Sequence, residues 1–281
     1  MRAIKTLTEY RTAAAVKKQI EINQLMRANF EVHNSNYTTA IVYPSTGYRH
    51  KFITSNLNKM AFITHAKMKV DILKNAPENF WSNNFEKDIL LYDCTEDEKN
   101  EDFNLIINFD LKNAYPTALV KAGFLSEETA EFVEKRNKLH RLQAIGIFAG
   151  QKRIFKYEKG ILSDVDLWQN PLKNVYFFAA KKTDNIIKSA AEISGDSFLF
   201  FWFDGIYIRP HRRAEKMITD FFEANNIAYK KELIRDLKIT YTAGKAFISY
   251  TDIKEDRKTF AIPTRSNQVK KDNESILKFL G

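Results

Sequence analysis

The chain has 281 residues, 44% of them hydrophobic, enough to bury a substantial core, and its single cysteine, Cys94, excludes both an internal disulfide and a cysteine-rich zinc site. An excess of 44 Lys and Arg over 35 Asp and Glu leaves a formal charge of +9, which points to polyanionic partners, although a solvated lysine-rich surface gives the same figure. No run approaches the roughly 18 apolar residues of a membrane span and no secretory leader is evident, so a cytoplasmic protein with no membrane partner is expected.

The first segment reads as a helix over residues 6–28, with Ala13, Val16, Ile20 and Leu25 on its apolar stripe. "TTAIVYPSTGYRHKFITSN" reads as two β-runs around a Pro-Ser-Thr-Gly turn, and "KMAFITHAKMKVDIL" fits a helix or a strand. The acidic stretch "DCTEDEKNED", 93–102, is the expected domain boundary. Beyond it "NLIINFDL" reads as a buried strand with Asp110 near its end, and Pro116 ends the extended run. A carboxylate there is costly unless it is paired, hydrogen-bonded or bound to a cation. Taken alone, Asp110 also fits an aspartate that caps the next turn.

Ser126 reads as the N-cap of a helix running to about residue 144, on which Lys138, Arg141 and Ile145 share a face. Those two cations suit a triphosphate, or an ordinary ion pair with Glu134. "SFLFFWFDGIYIR", 197–209, is a second intensely apolar strand broken by one acid, and Gly205 makes it a hairpin with Asp204 at the tip. Two such tips side by side make an all-oxygen site for magnesium or manganese, of the kind that holds two ions in phosphoryl transfer. The five histidines show no metal-ligand spacing. Residues 251–281 read as a polar tail whose amphipathic end, "ESILKFLG", docks in cis or offers a groove-binding helix to a protein partner.

Four stretches together carry a resemblance to family B DNA polymerases. "DLKNAYPTAL" resembles motif A, with Asp110, Tyr115, Pro116 and Thr117 in register and Asn113 and Ala114 replacing a Ser-Leu pair. "RLQAIGIFAG" is similar to motif B, with Arg141, Gly146 and Phe148 in place and Ile145 and Ala149 departing from it. "FWFDGIYIRP" resembles motif C, with Asp204 at the second acid and Trp202 where the first would stand. "GKAFISY" is similar to the Lys-variable-Tyr element, with Lys245 and Phe247 in the matching places. The order is the family's, across about 103–250.

The resemblance implies an α+β fold: a palm-like antiparallel sheet over 101–250 with packed helices, rudimentary fingers and little or no thumb, after an N-terminal α/β region over 1–100. It implies a minimal DNA polymerase or related nucleotidyltransferase without proofreading, reduced in the manner of the protein-primed branch and at home in a phage or mobile element. Asp110 and Asp204 would be catalytic and hold two Mg2+ or Mn2+ ions, and Leu111 would contribute its carbonyl. Tyr115 would gate the sugar, Lys138 and Arg141 would meet the deoxynucleoside triphosphate, and Lys245 and Phe247 would touch DNA, as primer-template or single strand. Two alternatives stay open. A catalytically silent palm that binds nucleic acid, or scaffolds a replication or defence complex, fits Trp202 and the altered motif B. A reverse transcriptase would show adjacent acids, and "FDGIY" has only one.

Overall fold

The structure is a computed structural model that describes residues 5–35, 38–53, 59–83, 85, 89, 92–94, 100–242, 245–252 and 254–263. The expected amphipathic end of the tail lies outside the described residues. In chain order the elements begin with β1 (Lys5–Tyr10), α1 (Ala13–Leu25), β2 (Phe30–Asn34), β3 (Thr38–Tyr43), β4 (Tyr48–Ile53) and α2 (Lys59–Asn75). Next come β5 (Tyr92–Cys94), β6 (Glu101–Leu111), α3 (Ala114–Lys121), α4 (Glu127–Glu134), α5 (Lys138–Ala149), β7 (Gln151–Glu158) and β8 (Ile161–Gln169). The last are α6 (Lys173–Ser194), β9 (Phe198–Trp202), β10 (Gly205–Ile208), α7 (Arg212–Ala224), β11 (Tyr229–Thr242), β12 (Lys245–Thr251) and β13 (Arg257–Pro263). The class is α+β, and no helix among the described residues is long and apolar enough to cross a membrane.

The chain forms two compact units, residues 1–82 with 124–176 and residues 83–123 with 177–281, a division that differs from the expected one near residue 100. The acidic stretch links strands of a single sheet, because Tyr92–Cys94 pairs with β9 and Glu101–Leu111 with β10 and β11. Likewise 257–263, expected in the polar tail, is an edge strand paired with β12.

The first unit holds a sheet in the order β1-β4-β3-β2-β7-β8. Where a single helix is expected at 6–28, alternating Thr, Leu, Thr and Tyr make β1, which pairs in parallel with β4. Thr12 then caps α1 by accepting from Ala15 N–H at 3.3 Å. Val16 is buried and Ile20 packs beside it on Phe30, Val32, Ile41 and Phe52, whereas Leu25 is exposed. The β7–β8 turn closes on α1. At Gly160, with φ at +77°, a Cβ would stand 2.2 Å from the Gln24 carbonyl oxygen, so only glycine fits. The helix expected from 126 to 144 is two helices. Asn137 caps α5 by accepting from His140 N–H at 2.8 Å, and Arg141 Nη1 donates to the Glu134 and Arg136 carbonyls at 3.1 and 2.7 Å, closing the end of α4.

His65 on α2 gives this unit a pH dependence. Burial lowers its pKa to about 4, against a hydrogen bond to the Ala144 carbonyl at 3.1 Å, with Lys69 adding to the depression. The unfolded chain takes up a proton near pH 6.5 that the fold refuses until about pH 4, so stability falls as pH drops through that window. Relative to His65→Gln, the wild type should lose about 2–3 kcal/mol between pH 7 and 4.5 in denaturant titrations, and equal losses would refute this role.

The second unit holds a curled sheet in the order β13-β12-β11-β6-β10-β9-β5, in which every pairing among the described residues is antiparallel. One face packs on α6 and α7 through Ile107, Phe109, Phe201, Ile206, Ile187 and Phe222. In α7, Ala214, Ile218 and Phe222 recur every four residues and supply the buried side. The other face lies inside the curl, where Trp202 comes 4.7 Å from Phe260 of β13 and Phe200 stacks on Tyr207 at 4.1 Å. From Ile106 to Leu111, side chains at even positions of β6 therefore point into the trough of the sheet and odd ones toward the helices.

Candidate active site

Asp110 stands at the end of β6, where the register runs across five strands as Tyr92, Trp202, Gly205, Asp110 and Lys230. Asp204 sits in the two-residue turn that joins β9 to β10, beside the same row. Phe203, its partner in that turn, takes φ at +52°, a conformation a non-glycine residue holds at a cost and that recurs at functional sites. The turn is tied to β6 by the Leu111 N–H, which donates to the Asp204 carbonyl at 2.8 Å. Two acids far apart in sequence thus share one end of one sheet, both half-buried.

Asn108 is the next residue on the same face of β6, paired with Tyr207 on one side and Glu232 on the other. It is 5% exposed, and its Oδ1 is buried without a hydrogen-bond partner among the described residues. Gly205 permits a close approach. A Cβ there would lie 3.3 Å from Asn108 Oδ1, 3.5 Å from Tyr207 Cε2 and 3.7 Å from Asp110 Oδ1, so the absence of a side chain lets two oxygens come near the Gly205 backbone. A carboxamide oxygen and a carboxylate oxygen close together are donors of the kind that hard divalent cations take. Among the described residues no group of three or more His, Cys, Asp and Glu side chains is arranged for a metal, so a cation here would be completed by water or substrate oxygens.

The surrounding charges follow. Tyr207 has its pKa pushed well above the ordinary phenol value, first by burial, then by Tyr250, and further by the negative charges of Asp110 and Asp204. Lys230 is raised by its hydrogen bond to Glu232, with Asp110 and Asp252 adding to the effect. The row is therefore a focus of negative potential with one lysine at its flank.

Tyr115 is the second residue of α3, which Asn113 starts from a left-handed conformation, φ 51°, immediately after β6. Pro116 sits in the first helical turn, where its missing N–H costs nothing, so it begins a helix. Lys245 and Phe247 are elsewhere. Lys245 pairs with Thr242 at the far end of β11, about 12 residues or roughly 40 Å of extended strand from Lys230, because β11 and β12 form one long hairpin. Lys138 and Arg141 belong to the first unit, on α5, where Arg141 is engaged with the carbonyls that end α4. Asn108 is the site residue that sequence reasoning does not single out, and Gly205 enters there only as a turn residue. The signal for Asn108 was its spacing of two from Asp110 on a strand, which puts both on one face. Compared with known proteins, the chain matches no family model and no curated protein.

Proposed function

We propose that the chain is a minimal palm-type nucleotidyltransferase that adds deoxynucleotides to a 3′-hydroxyl at Asp110 and Asp204. The observation that carries this reading is the register of Gly205 against Asp110, with the Leu111 N–H bond to Asp204 bringing the second acid beside the first. Two magnesium or manganese ions bound there would supply charge neutralisation for the triphosphate and activation of the attacking hydroxyl. The residues themselves do the holding. Asp110 and Asp204 would supply carboxylate oxygens at the strand ends, Asn108 would add a neutral oxygen, and Gly205, without a side chain, leaves Asn108 Oδ1 and Asp110 Oδ1 unobstructed by a Cβ. Tyr115, set by Pro116 in the first turn of α3, is assigned the sugar position, where its ring would exclude a 2′-hydroxyl.

The test is incorporation of labelled deoxynucleotides by the purified chain with magnesium or manganese, on primed template, unprimed template and single strands. No incorporation in any of these would end the proposal. Tyr115→Ala should lower discrimination against ribonucleotides by at least about tenfold, and unchanged sugar selectivity would remove the gate. A second reading, a silent palm that binds nucleic acid, draws on Arg141, whose Nη1 is engaged by helix carbonyls, and on Trp202, which is paired opposite Gly205. Nucleic-acid affinity without any incorporation would favour it.

A further inference from the structure

The sheet of the first unit packs one face on α1, and its other face carries charge. Strand register puts Arg49 and Lys51 of β4, Glu31 and His33 of β2, and Lys152 and Lys156 of β7 on that second face. The acids there are already matched. Glu31 pairs with His33 at 2.6 Å, and Lys156 reaches Asp164 and Asp166 of β8 at 2.9 and 2.5 Å. Among the described residues no carboxylate lies within ion-pair distance of Arg49, Lys51 or Lys152.

Two of these cations lie over aromatic rings. Lys51 Nζ lies 5.1 Å from the Phe62 ring and Lys152 Nζ 4.4 Å from the Trp168 ring, while Arg49 Nε is buried with no hydrogen-bond partner. They also feel one another: burial and then Arg49 lower the pKa of Lys51, and burial followed by Arg49 and Lys51 lowers that of Lys152. Partly desolvated like charges destabilise a fold unless an anion joins them. Trp168 is 37% exposed, so part of its ring stays open.

We propose that this face binds a single-stranded nucleic acid, with phosphates held by Arg49, Lys51 and Lys152 and a base stacked on Trp168. An acidic protein segment would meet the same charges but leave the open indole unused, whereas stacking beside backbone contacts is how strands are held without sequence preference. The site is in the unit that does not carry Asp110 and Asp204, and it stands without the transferase reading.

The experiment measures anisotropy of a fluorescent oligo-dT strand with the full chain over a salt series. Replacing Arg49, Lys51 and Lys152 together by Gln should weaken binding at least about tenfold and flatten the log-log salt slope by about 2, as expected for three lost phosphate contacts. Trp168→Ala should weaken binding about 5- to 100-fold and leave the slope in place. A control variant with Lys17, Lys18 and Lys74 replaced by Gln should bind like wild type. In the unmodified protein, bound strand should protect Lys51 and Lys152 from acetylation, a readout that needs no variant to fold. Unchanged affinity and slope in the triple variant, an equal loss in the lysine control, or unprotected lysines would overturn the proposal. Displacement by inorganic tripolyphosphate at equal phosphate concentration would overturn it too, reassigning the site to free phosphate.

Discussion

Asp110→Asn and Asp204→Asn are each expected to lower metal-dependent incorporation by at least about 10³-fold, since each removes charge from a site asked to supply several kcal/mol of transition-state stabilisation. Both variants should remain folded. Without metal they should melt at or above the wild-type temperature, because removing one of two neighbouring carboxylates relieves repulsion at the strand ends. Divalent metal at about 100 times its dissociation constant should stabilise the wild type by about 2.7 kcal/mol, or roughly 5–10 °C, and should leave both variants nearly unmoved. The thermal arm reads binding and the incorporation arm reads chemistry. Variants that incorporate like wild type would remove the two acids from any catalytic role, and an absent metal shift would remove the cation.

Asn108 yields the second large effect because stability and activity should move in opposite directions. Its Oδ1 is buried without a partner among the described residues, a situation that costs about 1–3 kcal/mol. Asn108→Leu conserves the shape and discards the orphaned oxygen, so a purely structural Asn108 predicts a gain in stability with no change in activity. If the oxygen serves the cation, stability should still rise by about 1–3 kcal/mol while incorporation falls about 10- to 100-fold. Asn108→Asp should do the reverse, lowering melting without metal and enlarging the metal-induced shift, as a third charge joins the row. Full activity in the leucine variant would return Asn108 to the core.

The acid-bearing segments were legible because Asp110 interrupts the apolar run at the end of β6 and Asp204 sits between the apolar runs of β9 and β10, a pattern that strand burial and hairpin chemistry read directly. Asn108 was not, since an amide within "NLIINFD" becomes informative only when pairing sets Gly205 beside it. The break between α4 and α5 was hidden because Glu-Lys-Arg suits a helix, and the stop comes from the Asn137 cap and the reach of Arg141. β13 reads as tail in the sequence because its first three residues, Arg257, Lys258 and Thr259, are polar and exposed on an edge strand. The charged face of the first unit joins segments near residue 50 to others near 152, and no local pattern reports a pairing made over that distance.

β2 finds its second neighbour, β7, only roughly 120 residues further along the chain. During synthesis at about 5–20 residues per second, one edge of that young sheet waits several seconds for its mate, with bare amide and carbonyl groups available to any extended chain nearby. Growth at lower temperature or with chaperones should therefore raise the soluble yield, and a fragment ending before residue 150 should aggregate, because the ribosome has not yet delivered the hairpin that seals it.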